Sequence, residues 1–176
     1  MVARRAVLAG IAAALLPLPA WPQGLQVTDV AGWEGARWGM LGDELQKALG
    51  PRLRTEVNAI GIAQYFVDDY KVGAVAFPVQ LQMNGRSGLV RALVGSGFTA
   101  TARDAEADAV EAALRRQYGT PGVLVDVHRA DATSRRVEWK LEWNFPSTII
   151  TFYHYLDVTP QAVADSLTVR FEYNRP

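Results

Sequence analysis

Three runs of strict alternation constrain what this chain can fold into more than any other feature. In 75–83, Val75, Phe77, Val79, Leu81 and Met83 alternate with Ala76, Pro78, Gln80 and Gln82. In 136–143, Val137, Trp139, Leu141 and Trp143 take one face, and Glu138, Lys140 and Glu142 the other. In 167–173, Leu167, Val169, Phe171 and Tyr173 alternate with Thr168, Arg170 and Glu172. A period of two marks a strand buried on one side only, the habit of antiparallel sheets. Segments 63–70, 89–94, 123–128 and 148–155 also have strand character, and Asn84-Gly85 supplies a hairpin turn. Pro78 has no amide hydrogen to offer a neighbour, which predicts an edge strand or a bulge there.

Two segments carry helical spacing. In 42–49, Leu45, Ala48 and Leu49 share a face with the preceding Leu41, Asp43 and Glu44 occupy the first turn, and Gly50-Pro51 follows. The longer helix is read as capped by Thr101 with Asp104 three residues on. Ala107, Val110, Leu114 and Tyr118 form its apolar stripe, and Gly119 and Pro121 stop it. Its acids Asp104, Glu106, Asp108 and Glu111 lie toward the N-terminus and Arg115 and Arg116 toward the C-terminus, complementing the helix dipole.

Each helix precedes a run of strands, without strand–helix–strand alternation. The expected fold class is therefore α+β, with two helices packed on one face of an antiparallel sheet. Its buried residues should include Phe77, Val79, Trp139, Leu141, Val169 and Phe171. Segments 33–98 and 101–174 repeat the same order, a hint of a duplicated helix-then-hairpins unit.

Upstream, Arg4 and Arg5 precede an apolar run at 6–16, then Pro17, Leu18, Pro19 and Ala20. This order describes a secretory signal at 1–20, cleaved after Ala20, with one domain at 21–176 and a periplasmic or secreted location. The apolar run falls short of the roughly 20 residues that a membrane span requires. The Arg4-Arg5 pair leaves the general and twin-arginine export routes both open. The sequence has no cysteine, which excludes a disulfide scaffold, a thiolate metal site, a cysteine nucleophile and a lipid anchor on an N-terminal cysteine. Eighteen Lys and Arg balance 18 Asp and Glu, with the basic residues scattered, so no nucleic-acid footprint is present.

Short motifs yield to plainer readings. Gly95-Ser96-Gly97-Phe98-Thr99-Ala100 has the spacing of a dinucleotide fingerprint, but the expected helix begins beyond it, and hairpins follow. Gly85-Arg86-Ser87-Gly88 falls one residue short of a nucleophile elbow and reads as a turn. Asp126 and His128 share a strand face at chelating distance, as any polar strand can arrange. Asp68 and Asp69, adjacent in a strand, should point apart and cannot share a proton. No catalytic, metal or cofactor-binding residue is assigned, and no cofactor is expected.

Arg37-Trp38-Gly39-Met40 ahead of an acidic helix, with Gln117-Tyr118-Gly119-Thr120-Pro121 later, resembles a loose group of small exported bacterial proteins of unknown function. Their layout is similar to β-lactamase inhibitor proteins and to small lipoproteins of outer-membrane assembly. The resemblance implies a binding module rather than an enzyme. This chain departs from the lipoproteins in lacking the anchoring cysteine.

The one unusual local feature is aromatic density: Trp139, Trp143, Phe145, Phe152, Tyr153 and Tyr155 lie close together. The Trp139 face belongs to the expected core. The opposite face, with Lys140, Glu142, Tyr153, Tyr155 and Arg170, is the candidate interaction surface for an envelope protein partner. The alternative is a carboxylate-dependent hydrolase or carbohydrate-active enzyme using Asp126 and Glu142 beside the aromatics.

Overall fold

A computed structural model describes residues 27–95 and 97–174; the expected signal segment lies outside them. A small hairpin, β1 (Gly32–Trp33) and β2 (Ala36–Arg37), leads into α1 (Gly42–Leu49) and a 3-10 turn (Gly50–Arg52). Strands β3 (Leu53–Val57), β4 (Ala63–Val72), β5 (Val75–Asn84) and β6 (Gly88–Gly95) follow. Then come α2 (Asp104–Tyr118), β7 (Gly122–Ala130), β8 (Arg135–Asn144), β9 (Thr148–Val158) and β10 (Val163–Tyr173). The fold is mostly β, two helices with one large antiparallel sheet of eight strands in the order β3-β4-β5-β6-β10-β9-β8-β7, an arrangement consistent with the expected α+β class. Every neighbouring pair is antiparallel. Each helix is followed by a four-stranded meander, and the two meanders join through their last strands, β6 and β10.

The alternating apolar residues form the core. Phe77, Val79, Leu141, Val169 and Phe171 are buried as expected, in one cluster with Leu45 and Leu49 of α1 and Ala107, Val110 and Leu114 of α2. Trp139 lies at the margin of that cluster and is only partly buried, because it borders an open cleft beside α2, where its indole Nε1 donates to Glu111 Oε2 at 2.7 Å.

Three local features differ from the expected reading. Strand β3 stands where no strand is expected; as an edge strand it buries only Leu53. Pro78 sits in an interior strand, β5, and the bulge that it requires is in β4: Val67 pairs with Val79 and Tyr70 with Phe77, so Asp68 and Asp69 together face Pro78. Asp69 adopts φ 55°, and the extra residue resets the alternation so that Val67 and Val72 are both buried. Finally, α2 starts at Asp104 and Thr101 does not cap it. The amide of Arg103, the residue before the helix, donates to Asp165 Oδ2 of β10 at 3.1 Å, so a distant buried carboxylate anchors the helix entry.

Both quoted motifs have packing roles. The Gly39 amide donates to the Leu89 carbonyl at 2.9 Å, and Trp38 Nε1 donates to Thr148 Oγ1 at 2.6 Å. Gly119 ends α2, and its carbonyl accepts the Trp143 indole at 2.9 Å. Tyr118 meets Phe145 and Phe171 edge to face.

Candidate functional site

The register lays the residues between the core positions in rows across the sheet. Lys140 pairs with Val125 on one side and Tyr153 on the other, and Tyr153 pairs with Thr168. In the next row, Leu93 pairs with Arg170, Arg170 with Thr151, and Thr151 with Glu142. Cross-strand partners share a face, so these two rows stand side by side. Between them lies a depression of about 380 Å³ lined by Leu93, Val125, Glu138, Lys140, Thr151, Tyr153, Thr168 and Arg170.

Lys140, Tyr153 and Arg170 of the expected surface thus meet in one depression. The other two lie outside its lining. Glu142 accepts a hydrogen bond from Asn144 Nδ2 at 2.9 Å, and Tyr155 packs edge to face against Phe98, which is 70% exposed, with the Arg136 guanidinium over its ring.

The polar groups of the depression are incompletely partnered. Thr151 is 4% exposed, and its hydroxyl has no hydrogen-bond partner among the described residues. Arg170 Nε lies 3.3 Å from Glu172 Oε2 without forming a hydrogen bond, while Glu172 is also engaged by Arg91. Lys140 makes no ion pair among the described residues. Glu138 is the one acid in the lining, and Arg136 stands 3.7 Å from it. Burial, then the neighbouring Glu138 carboxylate that its hydroxyl faces, raises the Tyr153 pKa above its ordinary value. A leftover hydroxyl and two cations around a concavity form an arrangement that an acceptor-rich group would complete.

The sequence reading missed a second polar cluster. His154 Nε2 lies 3.0 Å from Asp165 Oδ2, and Arg103 Nε donates to Asp165 Oδ1 at 2.9 Å. His154 and Asp165 are buried, and Arg103 nearly so. Burial alone would raise the Asp165 pKa, but hydrogen bonds from His154 and Arg103 outweigh it and hold the carboxyl below its ordinary value. The three residues come from β9, β10 and the residue before α2, far apart in sequence. The apolar parity of β9 was the only signal, since it places His154 among core positions. His154 also borders a cleft of about 430 Å³ under α2, with Asp104, Asp108, Glu111, His128 and Trp139.

Of the remaining candidates, Asp126 and His128 touch, while Asp126 and Glu142 do not meet. His128 Nε2 and Asp126 Oδ1 are 3.4 Å apart on the exposed edge strand. Asp126 pairs with Trp139 and Glu142 with Gly122, positions that face opposite sides of the sheet. Asp68 is exposed and paired with Arg54 at 2.9 Å. Gly95 adopts φ 122°, where a side chain would strike the Leu167 carbonyl; its role is the close approach of β6 and β10. Among the described residues, no group of three or more His, Asp and Glu could hold a metal ion, and no helix is long and apolar enough to cross a membrane. Comparison with known protein families, with curated proteins and with solved structures finds no match to this chain.

Proposed function

We propose that this chain is an exported, non-catalytic binding module that holds an envelope protein against the sheet face centred on Tyr153. In this reading both helices cover one face of the sheet. The support is that the buried residues of α1 and α2 join the same cluster as one alternating set of strand residues, while Lys140, Tyr153 and Arg170 belong to the other set. The observation that carries the proposal is the depression at the centre of that second set, with the Thr151 hydroxyl buried beside it and without a hydrogen-bond partner among the described residues. The basic, apolar and small-residue order of 1–20 supports export.

Capture from envelope extract with the tagged protein, repeated with Tyr153→Ala and Tyr155→Ala together, tests the surface. A specific partner retained by the parent and lost by the variant is the expected result. An unchanged set of captured proteins overturns it. N-terminal sequencing of the exported form should find a chain beginning near Trp21, and an intact Met1 in the inner membrane overturns cleavage.

A further inference from the structure

We propose that the depression between Lys140, Tyr153 and Arg170 is a carboxylate site, taking one carboxylate on a short apolar stem. This rests on the reading of that face as the binding surface. Lys140 and Arg170 bring two cations to its lining, and only Glu138 brings an anion. Lys140 makes no ion pair among the described residues, and Arg170, though paired with Glu172 at 3.3 Å, leaves its Nε–H without a hydrogen bond among them, so the Lys140 charge and one Arg170 donor are open to a ligand.

Hydroxyls complete the donor set. The Tyr153 hydroxyl faces Glu138, so the free hydroxyls are those of Thr168, next to Tyr153 across the strands, and of the buried Thr151, which gains a partner from an arriving acceptor after a small rotation of the side chain. Leu93 and Val125 provide apolar wall at two sides, which suits a stem of a few carbons and offers nothing to a fully polar anion. Glu138 disfavours a second negative charge, which separates a carboxylate from a phosphate. At about 380 Å³ the depression is at the small end of ligand sites, enough for an acidic side chain, a chain terminus or a short fatty acid.

Sodium hexanoate titrated into the full chain, with backbone amide shifts read by NMR beside hexanol and inorganic phosphate, tests the proposal. The expected result is saturable shifts centred on Leu93, Lys140, Thr151, Tyr153 and Arg170 with hexanoate alone. Affinity should fall about tenfold in Arg170→Gln and in Lys140→Gln, the scale of one charged hydrogen bond. Lys140→Gln disturbs no ion pair among the described residues and serves if Arg170→Gln fails to fold. Equal shifts with hexanol, tighter binding of phosphate, or shifts elsewhere overturn the site.

Hexanoate that displaces the captured partner assigns the carboxylate to that partner. Hexanoate that binds and leaves the partner in place assigns the site to a free small carboxylate. Loss of capture in the tyrosine variant with no response to hexanoate overturns the carboxylate site alone. A hexanoate response with capture unaffected by that variant overturns the partner surface alone.

Discussion

His154 on β9 and Asp165 on β10 meet at 3.0 Å inside the protein, where Asp165 also takes Arg103 from the segment leading into α2. The carboxylate thereby ties two sheet strands to the start of a helix that lacks a side-chain cap of its own. His154 and Asp165 are buried and Arg103 nearly so, which makes the cluster cooperative: the buried carboxylate is acceptable only while His154 and Arg103 answer it.

Replacing Asp165 with Asn should therefore destabilise the fold by about 3–5 kcal/mol, because Arg103 would be left buried without its counter-charge. The pH dependence has a definite sign. A carboxyl held below its ordinary pKa contributes its full stability above the usual carboxylate range and loses it as pH falls through the native value. Urea denaturation should thus show a large gap between parent and variant at neutral pH that narrows in acid. A gap independent of pH would count against the charged cluster.

Trp139→Ala should cost about 3 kcal/mol, the low end for emptying a large aromatic site, since the indole is only partly buried. Trp139→Phe keeps most of the packing and removes the bond to Glu111, which should cost about 1 kcal/mol. Denaturation midpoints at constant m-value measure both.

Gly88 opens β6 at φ 65°, and a side chain there would strike the backbone of Gly39 and Met40. Gly88→Ala should destabilise by more than about 1 kcal/mol. Gly85, in the same turn, has open space around its Cα, and Gly85→Ala should stay within about 0.5 kcal/mol. Thermal unfolding of the two variants side by side gives the comparison.

Asp69 holds the bulge opposite Pro78 in a left-handed conformation that a β-branched residue resists. Asp69→Val should cost about 1–2 kcal/mol, whereas Asp69→Gly should leave stability within about 0.5 kcal/mol. Equal behaviour of the two in equilibrium unfolding would show that the backbone conformation is not the constraint.

Much of the fold is legible in the sequence because the determining signals are local. The alternation around Phe77, Leu141 and Phe171 states which residues turn inward, and the stripe of Ala107, Val110 and Leu114 states the buried face of α2, since both periods follow from backbone geometry. The same alternation separates Lys140, Tyr153 and Arg170 from the core positions. It could not say that these three would border one depression while Glu142 and Tyr155 fell outside, because that depends on register between strands set by turn lengths and bulges. Nor could it place Pro78 in the interior of the sheet, since the compensating bulge belongs to another strand. The start of α2 is the clearest case. Thr101 has the local form of a cap, yet the amide of Arg103 is answered by Asp165, a residue that only the packing of β10 against the helix entry brings within reach. Periodicity and turn chemistry act over a few residues and are written in the sequence; hydrogen bonds and cavities join residues that are distant along the chain, and only the folded sheet decides them.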